Sequence, residues 1–355
     1  MRSTTVPETA SREAIRRGVF IIWGPPPKGR RSLVLGTDLG LDEVAYLADD
    51  WRPGLARDPF KYPRLAWRTL RLLVRQRPRV VFVQSPPTLA VWTVAAYAAV
   101  SGARFVIDAH SDAFQRARWT RPRWLNRFVA RRATATLVTD PHWAGQITAD
   151  GAVAIVVPDI PSPAAEGVGS DRDELGEGFH LLVVNTWSSD EPLRALLEAA
   201  ADLPDATFHV TGRRDARFDA LGRLPANVRF TDFLPNEAYA RLMSSVDAVV
   251  CLTTRDHTMQ RGACEALSMG RPIVTSDWEL LRSYFARGTV HVDNTAAGIR
   301  DGIRRLMTHY AAYAAAIAEL RNERIHEWHT RRAAMIDLIA SPARPEAIRR
   351  RGGLE

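Results

Sequence analysis

Cysteine, lysine and long apolar stretches are scarce in this sequence. Its 355 residues include two cysteines, too few for a disulfide framework or a cysteine-rich zinc site and more typical of a reducing compartment. The longest apolar run, Leu89–Val100, is about a dozen residues and contains Thr93, whereas a bilayer span needs about 20. The N-terminus lacks a long apolar segment, so no signal peptide is predicted. We therefore expect a soluble or peripheral protein.

The length and the overall composition predict two globular domains. A chain of 355 residues exceeds one ordinary hydrophobic core. Hydrophobic residues make up 46% and charged residues 25%, which is typical of globular proteins and excludes an intrinsically disordered chain.

The charge is distributed unevenly along the chain. Residues 1–160 hold 24 Lys and Arg against 13 Asp and Glu, a net charge of +11, whereas residues 161–355 hold 24 against 27, a net charge of −3. This asymmetry predicts an anionic partner for the first half, such as nucleic acid, anionic lipid or a pyrophosphate-linked substrate. An arginine bias from a GC-rich genome is the alternative, since Lys28 and Lys61 are the only lysines. No helix-turn-helix, RNP or zinc pattern is present, which argues against nucleic acid.

Short apolar runs alternate with helical patterns, which is typical of βαβ units and parallel sheets. The predicted strands are Val19–Trp23, Val44–Leu47, Val80–Gln84, Arg104–Ala109, Thr136–Val138, Ala154–Val157, Leu181–Asn185, Thr207–Val210, Val228–Phe230, Ala248–Leu252, Ile273–Thr275 and Val290–Val292. In the first half, helices are predicted near Arg31–Leu39, Leu65–Gln76, Leu89–Val100, Trp124–Arg132 and His142–Thr148, and a long helical segment from Ala296 to about Ile339 ends the second half.

The stretch between Asp232 and Asp277 has the most informative pattern. After the apolar strand Ala248–Leu252 come a polar loop, a helix that carries Glu265, a Gly-Arg-Pro stop and the strand Ile273–Thr275. In parallel sheets, the loops at the carboxyl ends of strands form the ligand crevice. A helix N-terminus there offers unpaired N–H groups to a diphosphate. We therefore expect a phosphate-bearing ligand at this edge.

Three segments carry a resemblance to a known family. One segment is similar to the N-domain of glycosyltransferases that act on lipid-pyrophosphate acceptors, such as the enzyme that adds the first mannose to dolichol-linked chitobiose, at Gln84, Pro86, Pro87, Asp108 and His110. A second resembles that family's Ser/Thr-Trp-x-x-Asp-Glu segment at Thr186, Trp187, Asp190 and Glu191. The third, RGACEALSMGRPIVTSD, resembles the donor-site helix of the broader GT-B class. With the helix around Trp328, the resemblance covers most of residues 79–335.

The resemblance implies an α/β protein of two Rossmann-like doubly wound domains, the GT-B fold, facing a central cleft. The implied organisation is a flexible arm at 1–17, an acceptor-binding domain at 18–160, a linker at 161–178, a nucleotide-sugar domain at 179–320, a helix crossing back at 321–340 and a tail at 341–355. The activity implied is sugar transfer from a UDP- or GDP-sugar, with no metal or other cofactor.

The resemblance also implies the donor site. Glu265 would accept the ribose hydroxyls, and the helix turn at Arg261 and Gly262 would meet the diphosphate. The other implied donor residues are Gly212, Arg213, Thr186, Trp187 and His257. The alternative interpretation is an exposed helix acid and solvated arginines. His257 stands where many retaining relatives have a first glutamate, so the usual Glu-x7-Glu pattern is incomplete.

In the first half, His110 and Asp112 follow a predicted strand at its carboxyl end. Either could be the general base that deprotonates an acceptor hydroxyl, and Asp112 is the better base if the reaction inverts configuration. A packed, satisfied histidine is the alternative for His110. The Asp108-x-His110-x-Asp112 spacing would suit a metal only if the strand continued through it, and we predict that no metal is bound.

The segment from Arg116 to Arg132 contains seven arginines and no acid. Arg123, Arg127 and Arg131 recur at helical spacing beside Trp124, a pattern of interfacial helices that bind anionic headgroups. The alternative is an ordinary amphipathic helix packed on the sheet. The resulting hypothesis is a cytoplasmic glycosyltransferase, peripheral on the inner face of the membrane, that acts on an anionic or lipid-linked acceptor and binds no nucleic acid. The alternatives left open are a soluble acceptor, a nucleotide-sugar epimerase and a noncatalytic scaffold.

Overall fold

The structure is a computed structural model that describes residues 15–24, 30–48, 60–159, 169–214 and 218–341. The chain divides into two compact units. The first runs to residue 160 and takes up the chain again from Trp328, and the second spans Pro161–Glu327. The predicted N-terminal arm and tail lie mostly outside the described residues, as do residues 161–168 of the predicted linker and the segment 25–29, which holds three successive prolines.

The first unit is a parallel six-stranded sheet in the order β2-β1-β3-β4-β5-β6. The strands are β1 (Gly18–Ile22), β2 (Glu43–Tyr46), β3 (Val80–Ser85), β4 (Arg104–Ala109), β5 (Ala135–Val138) and β6 (Ala154–Val156). The helices are α1 (Arg30–Asp38), α2 (Lys61–Gln76), α3 (Thr88–Ser101), α4 (Asp112–Gln115), α5 (Ala117–Thr120), α6 (Arg123–Ala130) and α7 (Pro141–Ala149).

The second unit is a parallel six-stranded sheet in the order β12-β11-β10-β7-β8-β9, the arrangement of dinucleotide-binding folds. The strands are β7 (Phe179–Val183), β8 (Ala206–Thr211), β9 (Val228–Asp232), β10 (Ala248–Cys251), β11 (Ile273–Ser276) and β12 (Thr289–Val292). The helices are α8 (Arg172–Leu175), α9 (Leu193–Ala201), α10 (Asn236–Ser245), α11 (Arg261–Ser268), α12 (Glu279–Tyr284), α13 (Ala296–Thr308) and α14 (Tyr310–Ala340).

Apolar side chains cover both faces of each sheet, as expected for parallel strands. Every residue of β1 is buried. One face of the first sheet packs on α2, α3, α6 and α7 through residues such as Leu73 and Val94. The other face packs on α1 and on the last turns of α14, where Trp328 and Met335 are buried. The two Rossmann-like units confirm the predicted fold class.

Besides shifts of a few residues at element ends, three differences from the prediction bear on the fold. Strand β7 runs from Phe179 to Val183 and ends before Asn185, whose N–H donates to the Thr211 hydroxyl instead of to a neighbouring strand backbone. The predicted long final helix is interrupted at His309, so it forms α13 and α14. The short helices α4, α5 and α8 were not predicted, since four-residue helices have no apolar periodicity to detect.

Among the helices of the described ranges, none combines the length and the apolar character needed to cross a bilayer.

Candidate active site

The carboxyl edge of the second sheet brings together the loops after β7 and β10, which are neighbouring strands at the point where the strand order reverses. Asp190, from the first loop, accepts a hydrogen bond from the Thr253 hydroxyl at 2.8 Å, and its carbonyl accepts one from the Thr254 N–H at 2.7 Å. Burial alone would raise the pKa of Asp190, but hydrogen bonds from Ser188 and Thr253, with Arg255 nearby, lower it. An ionised Asp190 therefore holds the two loops together.

The loop after β7 is closed by Glu191. Its carboxylate accepts hydrogen bonds from the Thr186 N–H at 2.9 Å, the Thr186 hydroxyl at 2.7 Å and the Ser188 N–H at 2.9 Å. Burial nevertheless raises the pKa of Glu191. Both polar groups of Thr186, a predicted donor residue, are therefore engaged inside the loop.

An aromatic cluster and a glycine shape the next part of this edge. Trp187 stacks on Phe230 with ring centroids 6.1 Å apart, and Phe218 meets Phe230 edge-on at 5.0 Å. Gly212, after β8, has a φ of +103°, and a Cβ there would lie 2.3 Å from the Asn185 carbonyl oxygen. Only glycine allows this close backbone approach.

Helix α11 begins at the same edge with Arg261 and Gly262. A Cβ on Gly262 would lie 2.7 Å from the Cys251 sulfur and 2.8 Å from the Val184 methyl groups, so the glycine lets the first turn press against the sheet. The first N–H groups of a helix have no partner within the helix. Gln260, the residue before α11, caps none of them with its side chain. The turn is therefore shaped to meet an anion.

The Glu265 carboxylate lies one turn into α11 and is shared by two donors. Arg261 Nε donates to one oxygen at 2.9 Å, and the Tyr239 hydroxyl donates to the other at 3.0 Å. Burial, followed by the charge of Glu265, raises the pKa of Tyr239 well above its usual value, so its hydroxyl stays protonated. The predicted pair Arg261 and Glu265 thus forms an ion pair at the start of the helix.

The other two predicted donor residues lie on nearby loops. His257 precedes α11 with a φ of +53°, and its N–H donates to the Asp256 carboxylate at 2.6 Å. Arg213 is exposed directly after Gly212. Its neighbour Arg214 is held by an ion pair with Asp232 instead.

Sequence reasoning missed a buried polar network beneath this edge. The Thr253 N–H donates to the Ser276 hydroxyl at 2.8 Å, and the Thr253 carbonyl accepts from Asn294 at 3.1 Å and from the Trp278 indole at 2.9 Å. The available signal was a polar pair, Thr253 and Thr254, directly after an apolar strand.

The carboxyl edge of the first sheet carries a second cluster, centred on Asp108 at the end of β4. The Asp108 side chain is fully buried. One carboxylate oxygen accepts from Arg31 Nε at 3.3 Å, and the other accepts from the Ser32 hydroxyl at 2.7 Å and contacts His110 Nε2 at 3.2 Å. Arg31 and Ser32 lie in the first turn of α1, and Arg31 also donates to the Val157 carbonyl at 2.8 Å.

The negative charge of Asp108 determines the tautomer of His110. Burial alone would raise the pKa of Asp108, but Arg31, His110 and the Ser32 hydroxyl outweigh it and hold the pKa far below its usual range. An ionised carboxylate can only accept. His110 Nε2 therefore carries a proton, and in the neutral imidazole Nδ1 keeps its lone pair.

Asp112 lies apart from this cluster. Strand β4 ends at Ala109, and Asp112 begins the short helix α4, where its carboxylate pairs with Arg116 at 2.7 Å. Asp108, His110 and Asp112 therefore do not follow one another along a strand. In the described ranges, no group of three or more His, Cys, Asp and Glu side chains could hold a metal ion. Arg31 and Ser32 were not predicted as site residues, because no local pattern links the start of α1 to Asp108, more than 70 residues later.

The predicted membrane-facing helix α6 exposes aromatic side chains. Trp124 is 71% exposed and Phe128 47%. Arg123 is exposed at the start of the helix. Arg127 pairs with Asp150 at 2.9 Å, and Arg131 Nε donates to the Asp150 carbonyl at 2.7 Å. Two of the three predicted arginines are therefore partly engaged with the loop after α7.

Two families match the chain over adjoining ranges. The family described as "Glycosyl transferase 4-like domain" matches residues 19–160, and the family described as "Glycosyl transferase-like" matches residues 189–340. The chain is a GT-B glycosyltransferase. The predicted family and the predicted enzyme class are confirmed. A search of curated proteins finds no match to this glycosyltransferase.

Solved structures of the same fold are similar over nearly the whole glycosyltransferase. Sucrose-phosphate synthase from Thermosynechococcus elongatus is 14% identical with a TM-score of 0.68, covering 90% of this chain and 96% of that one. Anabaena HepE in complex with UDP and glucose is 14% identical with a TM-score of 0.67, covering 92% and 100%. Trehalose 6-phosphate synthase from Burkholderia multivorans is 14% identical with a TM-score of 0.62, covering 87% and 79%.

Proposed function

We propose that this glycosyltransferase moves a sugar from a UDP-sugar to a hydroxyl group of a lipid-linked acceptor. The observation that carries the donor assignment is the carboxyl edge of the second sheet at its switch point, where α11 begins against the strands through Gly262. The solved complex of Anabaena HepE with UDP and glucose supports UDP over GDP.

Each predicted donor residue receives a role. The diphosphate binds at the first turn of α11, where backbone N–H groups, the helix dipole and Arg261 meet its negative charge. Glu265 accepts the ribose hydroxyls. Gly212 lets the loop after β8 pack against the loop after β7 beside the nucleotide, Arg213 adds a cation, and Trp187, Thr186 and His257 shape the loops around it. These cations and the helix N-terminus stabilise the departing diphosphate without a metal.

The first unit supplies the base. His110 Nδ1 removes the proton from an acceptor hydroxyl, the acceptor oxygen bonds to the anomeric carbon, and the bond from that carbon to the diphosphate breaks, releasing UDP. Asp108 positions the ring and stabilises the imidazolium. What favours His110 over Asp112 is that the Asp112 carboxylate is already paired with Arg116.

The lipid-linked acceptor is supported by the outer helices of the first unit. Helix α2 contains no acid, and Trp67 lies on its exposed face among Arg64, Arg68, Arg71 and Arg75. Helix α6 adds exposed Trp124 and Phe128. Exposed arginine and tryptophan on one helix suit an anionic membrane surface, which supports a location on the inner, cytoplasmic face.

Calorimetry with UDP and GDP tests the donor assignment. We expect UDP to bind the purified chain more tightly than GDP. The same titration with Glu265→Ala tests the proposed role of that carboxylate. Its matched control is Glu237→Ala, which removes an exposed acid from α10. If neither nucleotide binds, the donor-site assignment is wrong. Tighter binding of GDP would change only the nucleobase assigned to the donor.

Vesicle sedimentation tests the acceptor class. We expect binding to vesicles with anionic phospholipid, little binding to neutral vesicles, and loss of binding in high salt. Replacement of Arg123, Arg127 and Arg131 by Gln should weaken that binding and leave UDP affinity unchanged. Equal sedimentation with both vesicle types would instead favour a soluble acceptor.

A further inference from the structure

A large groove opens at the amino ends of β3, β4 and β5, the opposite edge of the first sheet from Asp108 and His110. Its volume is about 1440 Å³, larger than the roughly 300–1,000 Å³ of most small-molecule pockets. It is bounded by the last turns of α2, α3 and α14 and by the chain just after α6. None of the residues assigned above to the donor, the base or the membrane-facing helix lines it.

Four arginines line this groove: Arg77, Arg79, Arg104 and Arg132. Among the described residues, no acidic side chain lines it. Arg104 Nη1 donates to the Ser341 carbonyl at 2.7 Å, and the Arg132 guanidinium lies 3.5 Å from the centre of the Phe128 ring. Within the described part of the chain, none of the four pairs with a carboxylate. Burial, together with Arg79, lowers the pKa of Arg104, as expected where positive charge is not neutralised.

Helix dipoles offset only part of this charge. The C-termini of α2, α3, α6 and α14 reach the groove, and each carries roughly half a negative charge. Four such ends offset about two of the four positive charges, so an excess of about two remains. That excess is enough to neutralise the single negative charge of a phosphodiester, whose oxygens arginine binds through paired N–H groups. The following residues, 342–355, carry four arginines against two glutamates, so they do not supply the missing negative charge.

The rest of the groove is apolar. Its wall includes Tyr97, Phe105 and a row of alanines from α3. Val100 is 91% exposed and Val74 60% exposed, and both lie at this groove. A soluble phosphate would leave these side chains in water, whereas a phosphate that carries an acyl chain would cover them.

We infer that the groove at the amino ends of β3–β5 is a binding site for an anionic phospholipid, with the phosphate on Arg79, Arg104 and Arg132 and acyl carbons against Val74 and Val100. This site is separate from the acceptor and adjoins the surface of α6 through Arg132, which stacks on Phe128. Its occupation would hold the first unit on a membrane whichever sugar, nucleotide or acceptor the enzyme uses.

The test measures binding of the full chain to vesicles of phosphatidylcholine with and without phosphatidylglycerol, using Arg79→Gln/Arg104→Gln and Val100→Asp. Arg223→Gln/Arg305→Gln, on the second unit, is the control with the same loss of charge. At about 1 kcal/mol per arginine near the surface, the groove double variant should bind about 30-fold more weakly, since 1.4 kcal/mol is tenfold. Val100→Asp, at an exposed position that the fold tolerates, should also weaken binding.

The control variant should bind almost as tightly as the unaltered chain. Equal losses in the groove and control variants would overturn the inference, because binding would then depend on net charge alone. Wild-type binding by both Arg79→Gln/Arg104→Gln and Val100→Asp would also overturn it. Pyrophosphate that binds the groove as tightly as a soluble short-chain phosphatidylglycerol would assign the site to a free phosphate instead. UDP calorimetry on the same variants separates these outcomes from a failure of the proposed sugar transfer.

Discussion

Replacement of Asp108 by Asn should destabilise the first unit strongly. The substitution removes the buried charge that neutralises Arg31, which is itself buried. Removal of one member of a buried pair costs about 3–5 kcal/mol. Arg31 keeps its bonds to the Val157 and Pro158 carbonyls and lies 3.9 Å from Asp159, so we expect the lower end, about 3 kcal/mol. In a unit of this size that lowers the Tm by roughly 6–12 °C.

The Tm difference between the unaltered chain and Asp108→Asn should become smaller at low pH. The pKa of Asp108 is lower in the folded chain than in the unfolded chain. Its stabilising contribution is therefore complete above the unfolded pKa of about 3.9 and is lost as the pH falls toward the folded pKa. We expect a constant Tm difference from pH 8 to about pH 5 and a narrowing difference below about pH 4.

Differential scanning fluorimetry across this pH range measures the effect. Asp112→Asn is the matched control, because it makes the same chemical change on a partly exposed ion pair with Arg116. Such i,i+4 pairs contribute about 0.3–0.5 kcal/mol, so its Tm should fall by no more than about 2 °C. Equal Tm losses in the two variants, or a difference for Asp108→Asn that persists unchanged at pH 3, would refute the reasoning.

The remaining predictions concern the carboxyl edge of the second sheet, the general base His110 and the interior of the second unit. Glu265→Ala should weaken UDP binding by about 1–3 kcal/mol in calorimetry, because hydrogen bonds to a charged group are lost; unchanged affinity would remove it from the site. His110→Ala should lower turnover by about 10²–10⁴-fold while UDP affinity is kept, and a larger loss for Asp112→Asn would make Asp112 the base. Gly262→Val should push α11 away from the sheet and abolish UDP binding in calorimetry. Unchanged UDP binding would show that the first turn of α11 has room for the larger side chain. Burial, then His180, lowers the pKa of His209 to about 4. The unfolded chain therefore binds a proton more readily, so the wild-type Tm should fall as the pH is lowered from about 6.5 to about 4, and His209→Leu should lack this decrease.

Much of the fold could be predicted because apolar runs and helical periods alternate strongly. Strand β4 was predicted with its observed bounds, Arg104–Ala109. The carboxyl-edge loops followed from that order of elements, because parallel strands place their ends together. Predictions failed where the structure depends on groups distant in sequence. Arg31 and Asp108 are 77 residues apart, and no local pattern shows that they pair.

The site was predicted by residue type rather than by contact. Thr186 looked like a donor ligand, yet its polar groups are bound by Glu191 five residues later. Arg127 and Arg131 looked like membrane cations, yet both contact Asp150, beyond an intervening strand and helix. The contacts with Asp150 depend on tertiary packing, which a helical period does not encode.

Helix α14 has a consequence for how the protein is made. The core of the first unit includes Trp328, Met335 and Ile336, and the Trp328 indole donates to Asp38 at 2.9 Å. A ribosome that has finished residue 160 must still add 167 residues of the second unit before Trp328 exists. At roughly 5–20 residues per second this takes about 8–33 s. During that interval, the end of α14 does not yet cover the face of the first sheet that includes Phe20 and Leu137. The nascent first unit therefore exposes apolar surface to which a chaperone can bind.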